Sequence, residues 1–575
     1  MIQNCTATNS VNSGEAYGGG VRAFYVREIT LAGSASIAGC AAANGSGLYI
    51  TGSQTPGYGK LFANGGSVDG DVVLGDTTEG PCTITGSGET VFNGKVTVTP
   101  GSTIENGKFN GEVINNGTIT GGVFNSTVSG SGIINGGTFN GTPDHITGSG
   151  TETDPYQIST AAGLKWFRDI VNGENGRAQK LDACATLTAD IVLNDGTFAE
   201  DGSYTPGPSD IPTPTEWTFI GCDYDEAYSG TFDGAGHTIQ GVYCNDQIKG
   251  RAGLFGYVNG ATIKDIKVTG YIKTYGLAGG IAAYIRGGTS ITDCVNAATV
   301  IAGDTRGYSP SAGGIVGCSE REQQNQITDC INTGTVKVIV PDGDYSSAGG
   351  ILGQAVNSTL ISNCSNFGTV SGGRFENATS KISYVGGITG RITLTTVSDC
   401  YNAGVVTDTA NPEPTLGGIV GILDGTTSLV NSYNVGSVTA ASTTATLGGV
   451  AGSVSRYNNT ITNCYDLTGT AGQACGQNNG VITPTTTEKS AFDFANGGVL
   501  ALLMANRPAD AQPWDTTCKY LESAGMTLPV LARQKLTAHD HVWSTYTTDT
   551  AAKTHTRSCA CGVAETEACT IIPAT

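Results

Sequence analysis

Short apolar segments broken by Gly, Asn and Asp dominate this chain, and they recur at a nearly fixed period. They are rich in Thr, Val and Ile, and no stretch of about 12 residues within the repeated region shows the 3.6-residue periodicity of an amphipathic helix. The pattern therefore predicts short strands. The first repeated signature, a Gly-Gly pair followed by an aliphatic residue, returns every 31 to 37 residues: Gly279-Gly280-Ile281, Gly313-Gly314-Ile315, Gly349-Gly350-Ile351, Gly386-Gly387-Ile388, Gly417-Gly418-Ile419 and Gly448-Gly449-Val450.

A second signature follows in every copy and has the form aliphatic-x-Asx-Cys. Its copies end at Cys294, Cys330, Cys364, Cys400, Ser432 and Cys464. Three positions after the first Asx stands another Asx: Asn296, Asn332, Asn366, Asn402, Asn434 and Asp466. Such internal self-similarity is the mark of a solenoid in which each repeat forms one coil.

We predict a parallel β-solenoid in which equivalent residues of neighbouring coils lie about 4.8 Å apart. The Asx before each Cys is predicted to adopt a left-handed turn, which Asn and Asp tolerate best after Gly. The Cys then begins the next strand and points inward as a small apolar residue. Stacked Asx side chains can form hydrogen bonds along the axis, and stacking Asp293 on Asp329 predicts a repulsion between like charges.

A tighter repeat lies upstream, between about residues 84 and 142. Its copies, spaced by 15 to 17 residues, are Phe92-Asn-Gly, Phe109-Asn-Gly, Phe124-Asn-Ser and Phe139-Asn-Gly. This spacing predicts three very short strands per turn, with the Phe side chains stacked inside. Residues 159–171 and 490–505 are predicted to form helices that cover the ends of the solenoid and protect open sheet edges.

The pattern divides the chain into six segments. They are partial coils (1–54), a short-repeat solenoid (55–147), a polar break with a capping helix (148–184), the main β-helix (185–482), a C-terminal cap (483–535) and a Cys/His-rich module (536–575). The predicted fold class is all-β, a parallel solenoid with short helical caps.

Composition narrows the range of functions. Lys and Arg number 29 against 49 Asp and Glu, a net charge of −20, which argues against nucleic acid and anionic membranes as partners. No apolar run of about 18 residues is present, so the sequence predicts no transmembrane span. The start lacks the basic and apolar regions of a secretory signal, and no wall anchor is found, so we expect a fragment of a longer protein. Of the 17 Cys, five share one repeat phase, which favours buried free thiols over disulfides.

Several motifs between residues 149 and 530 resemble the GLUG-motif β-helix proteins. They are Thr151-Glu-Thr-Asp-Pro-Tyr156, Trp217-Thr-Phe-Ile-Gly221, Gly230-Thr-Phe-Asp-Gly-Ala-Gly-His237 and Gly253-Leu-Phe-Gly256. Proteins of this group are surface and secreted proteins of gut bacteria, mostly Firmicutes and Bacteroidetes. Their modules also occur in the non-catalytic part of immunoglobulin A peptidases and in adhesin-like proteins. The resemblance implies a right-handed β-helix outside the cell, and it does not imply one activity.

The C-terminal segment is similar to a short repeat of Firmicutes surface proteins, with His541, Trp543 and Cys559-Ala-Cys561-Gly562. Four side chains, His555, Cys559, Cys561 and Cys569, could bind a structural zinc ion tetrahedrally. Disulfides or free thiols are the alternative, because Cys-x-Cys is tighter than the usual zinc knuckle. We expect no other cofactor.

Parallel β-helices also host polysaccharide lyases and glycosidases, so clusters of acidic residues are candidate catalytic groups. Asp223, Asp225, Glu226 and Asp233 crowd one region, and two carboxyl groups about 5 to 9 Å apart would suit glycoside cleavage. However, Asp233 and His237 belong to a Gly-rich pattern that is typical of a turn. We therefore predict no catalytic residue.

The variable part of each main repeat is the loop before the next Gly-Gly pair. The residues proposed here as a ligand-binding surface are Arg306, Tyr308, Asp342, Tyr345, Arg374 and Phe375. Aromatic side chains beside charges on adjacent loops are typical of recognition, although ordinary solvated turns would have the same composition. The sequence thus favours a non-enzymatic, extracellular adhesin-like protein that binds a host glycan or protein. A carbohydrate-active enzyme and a structural spacer are the alternatives.

Overall fold

The computed structural model contains two compact units of stacked parallel strands. Unit 1 comprises Met1–Ala199, Ser203–Tyr243 and Leu254–Val268, and unit 2 comprises Glu200–Gly202, Cys244–Gly253 and Thr269–Thr575. Within these limits, the structure describes residues 2–3, 20–23, 27–40, 46–53, 58–126, 128–129, 132–134, 137–139, 146–174, 179–208, 212–246, 248–303, 309–320, 323–340, 345–374, 382–480, 486–505, 507, 512–521, 524–534, 547–549, 554–558 and 564–568.

The first part of unit 1 is a narrow solenoid with three short strands per turn, as the tight repeat predicts. Its strands pair in parallel and in register with the next turn, for example Thr103 with Thr118 and Val113 with Val96. The strands are Ile2–Gln3, Val21–Ala23, Glu28–Ala38, Leu48–Ile50, Lys60–Val68, Val72–Leu74, Thr83–Thr85, Val91–Phe92, Val96–Val98, Thr103–Ile104, Lys108–Phe109, Val113–Asn115, Thr118–Ile119, Val123–Phe124, Val128–Ser129, Ile133–Ile134 and Thr138–Phe139.

A stack of Phe rings runs through this narrow core. Phe92 and Phe109 lie 5.0 Å apart, and Phe109 and Phe124 lie 4.8 Å apart, with ring planes within 9° of parallel. All three side chains are fully buried. The predicted inward Phe stack is therefore confirmed for these three turns, while the Phe139 side chain lies outside the described residues. An asparagine ladder runs along the exposed side, in which Asn110 bonds Asn93 and Asn125 bonds Asn110.

The predicted first helix is present as α1, Ala161–Asn172. Thr160 caps its start by accepting a hydrogen bond from the Gly163 N–H, and Gly173 ends it in the left-handed conformation. Phe167 is fully buried against Tyr228 and Phe232, so α1 covers an apolar interior. The strands that precede and follow α1 in the chain are Tyr156–Ile158, Ala185–Leu187, Ile191–Val192, Thr197–Phe198, Tyr204–Thr205, Thr231–Asp233, Thr238–Asp246, Phe255–Asn259 and Thr262–Lys264.

Among the described residues, unit 2 contains six coils with up to five strands each, and equivalent strands of neighbouring coils pair in parallel. The first strands are Leu277–Gly279, Ser311–Gly313, Ser346–Gly349, Ser383–Gly386, Thr415–Gly417 and Thr446–Gly448. The second strands are Ala282–Arg286, Val316–Ser319, Leu352–Ala355, Thr389–Ile392, Val420–Leu423, Ala451–Val454 and, in a partial further coil, Cys475–Asn478. The third strands are Ser290–Thr292, Asn325–Thr328, Thr359–Ser362, Thr395–Ser398, Ser428–Val430 and Thr460–Thr462.

The fourth strands carry the second Asx of the repeat. They are Val295–Asn296, Ile331–Asn332, Ser365–Asn366, Tyr401–Asn402, Tyr433–Asn434, Cys464–Leu467 and the added strand Thr486–Lys489. The fifth strands are Thr299–Ala302, Val336–Val340, Val370–Arg374, Val406–Asp408 and Val438–Ala440. Arg251–Ala252 and Lys267–Thr274 precede the six coils.

The Asx-Cys signature behaves as predicted. All six Asx residues of the signature are left-handed, with φ between 50° and 56°. The five Cys residues of the signature are buried and form no disulfide, and burial raises the pKa of the Cys464 thiol to about 12. The predicted repulsion between stacked aspartates is visible at Asp329, whose pKa is raised by burial and then by the charge of Asp293.

The second Asx forms a buried ladder along the solenoid. Each Asn side chain donates Nδ2 to the Oδ1 of the next coil at 2.7 to 2.8 Å, from Asn296 through to Asn434. Nδ2 also donates to the backbone carbonyl two residues later, for example from Asn366 to Gly368 at 2.9 Å. Each Asn amide is thus bonded to its own turn and to its neighbour. These hydrogen bonds satisfy the donors and acceptors of the amide, which a buried polar group requires.

The Asn ladder also explains the Gly-Gly pairs. A Cβ atom at Gly350 would lie 2.2 Å from the Gly387 carbonyl oxygen and 2.4 Å from the Asn366 Cγ, both too close for any side chain. The second Gly of the pair therefore lets the backbone approach the ladder. The Gly-Gly pair of one signature and the second Asx of the other therefore contact each other directly.

The C-terminal part of unit 2 differs from its prediction in two respects. The helix expected over 490–505 is divided into α2, Ala491–Ala495, and α3, Gly498–Met504, because Gly497 adopts a left-handed conformation between them. The segment was also predicted to close the end of the solenoid, but it packs against a side of the coils as well. Trp514 and Phe494 pack on Tyr401 and Tyr433, outward residues of the fourth strands, so the segment covers a side of the coils.

The strands of this segment are Lys519–Leu521 and Met526–Leu528, an antiparallel pair. Farther along, Thr547–Asp549, Thr554–Ser558 and Ala564–Ala568 form a three-stranded antiparallel sheet. Among the described residues, no helix is long and apolar enough to span a membrane.

Candidate recognition surface

The predicted ligand-binding loops are only partly described by the structure. Arg306, Tyr308, Asp342 and Phe375 lie outside the described residues. Arg374 ends the fifth strand Val370–Arg374. Tyr345 directly precedes the first strand Ser346–Gly349, and its ring is half-buried.

Tyr345 is the first member of a polar and aromatic cluster. The Arg391 guanidinium lies over its ring, 4.3 Å from the ring centre, in a cation–π contact. The Tyr384 ring lies 6.0 Å from the Tyr345 ring at an angle of 52°. Tyr384 belongs to the first strand of the next coil, where it pairs in register with Ser347, and Arg391 belongs to the second strand of that coil. Strand pairing thus fixes the backbone positions from which both side chains extend.

An ion pair extends the cluster to a third coil. Arg391 donates Nη2 and Nε to one carboxylate oxygen of Asp424, at 2.6 and 3.1 Å. Both side chains are about a quarter exposed. The pKa of Tyr384 is raised, first by burial, and Arg391 opposes the shift. The result is an arginine that has an aromatic ring on one side and a carboxylate on another.

Beside Asp424 the surface becomes apolar and exposed. Leu394 is 49% exposed and Tyr457 is 64% exposed. One turn lies between them: the Leu394 N–H donates to the Gly425 carbonyl, and a Cβ atom placed on Gly425 would lie 3.6 Å from the Tyr457 ring. We call Tyr345, Tyr384, Arg391, Leu394, Asp424 and Tyr457 the recognition surface.

The turn that carries the apolar part of the recognition surface is strained. Leu394 has φ of 51° and Thr426 has φ of 48°, conformations that cost a side chain with a Cβ roughly 1 to 2 kcal/mol. A left-handed β-branched residue such as Thr426 is rare. Backbone strain of this kind is concentrated at binding and catalytic sites.

Most of the recognition surface was missed by sequence reasoning, which considered only the loops of variable length. Arg391 lies instead in a regular strand, at the repeat position that holds Cys318, Gln354, Ile422 and Ser453 in other coils. The sequence signal that could have identified Arg391 is that it is the one charged residue among these five equivalent positions.

The acidic region considered for catalysis takes part in turn contacts. The Asp233 carboxylate accepts a bond from the Ala235 N–H and lies 2.9 Å from Lys264 Nζ. His237 lies 3.1 Å from Asp190. Asp223, Asp225 and Glu226 are exposed.

A different pair of carboxyl groups lines a cleft of about 450 Å³ in unit 2. Asp329 and Asp399 are equivalent turn residues two coils apart, and the pKa of each is raised, chiefly by burial. Each is also held by an arginine of the C-terminal segment. Arg507 and Trp514 bond the Asp399 carboxylate, and Arg533 lies 3.7 Å from Asp329. The geometry favours an anchor for that segment, because both carboxylates already have cationic partners.

The proposed zinc ligands remain untested. His555 lies on the strand Thr554–Ser558, and the side chains of His555, Cys559, Cys561 and Cys569 lie outside the described residues. In the part of the chain that the structure describes, no group of three or more His, Cys, Asp or Glu side chains could hold a metal ion.

Comparison with known proteins gives distant similarities. No family model matches the chain. Halomucin of Haloquadratum walsbyi (strain DSM 16790 / HBSQ001) is 28% identical over 176 residues, which is 30% of this chain and 2% of Halomucin. A proposed immunoglobulin A1 protease from Bacteroides ovatus aligns with 67% of this chain and 94% of its own, at 21% identity and a TM-score of 0.41. An IgA1 protease aligns with 58% of this chain and 21% of its own, at 15% identity and a TM-score of 0.34.

Proposed function

We propose that this chain is an extracellular, non-enzymatic surface protein that binds a host glycan through the recognition surface. The coils of unit 2 display the recognition surface, which is the adhesive part of the chain. The observation that carries the proposal is the cluster of Tyr345, Tyr384, Arg391 and Asp424 beside the exposed ring of Tyr457.

The chemistry of the cluster suits a saccharide. Tyrosine rings offer flat apolar faces for the C–H side of a sugar ring, and a phenolic hydroxyl beside each face. The Arg391–Asp424 pair offers donors and acceptors for sugar hydroxyls. Because the two side chains hold each other in place, they lose little conformational entropy on binding. A protein ligand is the alternative occupant.

The repeat architecture would let one extended ligand contact several coils of this surface. Parallel pairing places equivalent positions of successive coils about 4.8 Å apart, which is close to the length of one sugar unit. The recognition surface uses side chains from four successive coils, beginning at Tyr345 and ending at Tyr457. An extended oligosaccharide could therefore contact several coils at once.

The test is a glycan and mucin array with purified full-length chain, run in parallel with an assay for released reducing sugars and unsaturated products. Binding without product is expected. Tyr345→Ala and Arg391→Ala should each weaken binding about tenfold, the effect of losing an aromatic or charge-assisted contact. Tyr520→Ala is the matched control, since Tyr520 is 56% exposed and lies outside the recognition surface.

Two results would count against the proposed glycan binding. Unchanged binding by both variants would remove the recognition surface from the proposal. Binding to host proteins but to no glycan would favour the protein ligand.

A polysaccharide-cleaving enzyme is the second candidate, and one observation favours it. Asp329 and Asp399 line one cleft with raised pKa values, and two coil spacings separate them by roughly 10 Å, near the range for inverting glycosidases. Product release by the wild-type chain that is lost in Asp399→Asn would support this candidate and overturn the non-enzymatic one.

A further inference from the structure

A second groove, apart from the recognition surface, lies at the C-terminal coil of unit 2. Its volume is about 910 Å³, within the usual range for small-molecule sites. The strand Thr486–Lys489 forms one wall, and helix α3 with the residues after it forms the other. Tyr465 also lines it and is 6% exposed. The groove shares no residue with the recognition surface.

The charge of the groove is opposite to that of the protein. Lys489 and Arg507 line it, and no Asp or Glu does so among the described residues. The chain as a whole carries a net charge of −20. Arg507 is neutralised by Asp399 in the neighbouring cleft, which leaves Lys489 as the main cation. The Lys489 ammonium lies over the Tyr465 ring, 5.6 Å from the ring centre. A groove of this charge selects an anion.

The uncharged groups of the groove indicate which other features the ligand has. Thr462 and Thr487 are exposed and bring hydroxyl groups to the groove. Leu502, 38% exposed, adds an apolar wall, and its carbonyl accepts a bond from the Asn463 amide, which ties α3 to the coil. Hydroxyl groups, one apolar wall and one cation match a sugar ring that carries a carboxylate.

We propose that this groove binds a carboxylate-bearing saccharide and that Lys489 binds the carboxylate. The ligand class includes glycans that end in sialic acid and polymers of uronic acid, since both present a carboxylate on a pyranose ring. Tyr465 holds the Lys489 ammonium in place through its ring face.

The experiment is calorimetric titration of the purified full-length chain with four probes: sialyllactose, tetragalacturonate, lactose and a poly-glutamate peptide. Sialyllactose or tetragalacturonate is expected to bind, and the one that binds identifies the source of the carboxylate. Lys489→Ala should weaken that binding about tenfold or more, because it removes a charge-assisted hydrogen bond. Lys489→Arg should retain most of it.

Two further variants keep the test independent of folding. Thr487→Glu places a negative charge on an exposed position of the groove and should also weaken binding of the anionic probe. Lys519→Ala removes an exposed lysine outside the groove, one that is paired with Asp515, and should change nothing. Tyr345→Ala should leave this binding intact, so a failure of the recognition surface is distinguishable from a failure of the groove.

Four results would overturn the proposal. They are equal affinity for lactose, unchanged affinity in Lys489→Ala, binding of the poly-glutamate peptide alone, and no binding of any probe.

Discussion

Asp466 interrupts the asparagine ladder, and Asp466→Asn is expected to stabilise the protein. Asn296, Asn332, Asn366, Asn402 and Asn434 occupy the same position in the five preceding coils. Asp466 is 0% exposed, and neither of its carboxyl oxygens has a hydrogen-bond partner of good geometry among the described residues. Burial, followed by the charge of Glu488, raises the pKa of Asp466 to about 7, and the nearby Thr470 hydroxyl opposes the shift only in part.

The size and sign of the effect follow from that pKa. An ordinary Asp has a pKa of 3.8, so in the folded state Asp466 keeps its proton up to about pH 7, whereas the unfolded chain loses it near pH 4. The contribution of Asp466 is fully present below pH 4 and is lost as the pH rises through about 7. The loss is on the order of 4 kcal/mol at 1.36 kcal/mol per pKa unit. Asp466→Asn removes this loss and adds a ladder bond from Asn434, a further gain of about 1 kcal/mol.

Differential scanning calorimetry of wild type and Asp466→Asn at about pH 4 and about pH 8 measures this difference. The variant should melt at a clearly higher temperature at the higher pH and at nearly the same temperature at the lower pH. Asp225→Asn removes the same charge at an exposed position and controls for net charge. A variant that gained no stability at the higher pH, or gained equally at both, would refute the reasoning.

Four further predictions test the fold and the C-terminal anchor. Phe109→Ala should lower the stability of unit 1 by about 3 to 5 kcal/mol in a calorimetric melt, since the ring stacks between two others; an unchanged melt would mean that the Phe stack is not core. Asn366→Ala should lower the free energy of unfolding by about 2 to 4 kcal/mol in chemical denaturation, because it breaks the ladder on both sides and leaves buried polar groups without hydrogen bonds. A smaller loss than that of an exposed Asn→Ala change would contradict the ladder. Thr426→Gly should raise the free energy of unfolding by about 1 kcal/mol in the same assay, and a decrease would show that the left-handed turn is not strained. Arg507→Met should leave Asp399 without its cation and speed proteolysis of the C-terminal segment, and equal cleavage rates would rule out the anchor.

The repeat made much of the fold predictable. The spacing, the Thr-, Val- and Ile-rich composition and the conformational tolerance of Asx together predicted the parallel strands, the left-handed Asx turns, the inward Cys residues and the stacked Phe rings, because each recurs at the same phase of the repeat. The ladder, however, was predicted in general terms and belongs mainly to the second Asx. Only the second Asx is fully buried in every coil, so only there must each amide find a partner.

Features that occur once were harder to predict. Tyr401, Tyr433 and Tyr465 share one outward repeat position, which was a signal that something covers them, but no periodicity shows that the covering segment is the C-terminal one. The split between α2 and α3 occurs at Gly497, which adopts a left-handed conformation. The recognition surface combines side chains from four coils, and Arg391 meets Tyr345 only because the register brings the two together.

The most direct test of the proposed function is retention of the chain on immobilised mucin, with reducing ends counted in the same wells. Wild-type protein is expected to be retained without a rise in reducing ends. Arg391→Ala is expected to wash off, because it removes the cation–π contact and the ion pair together. Equal retention of Arg391→Ala, or a rise in reducing ends with the wild-type chain, would contradict the account.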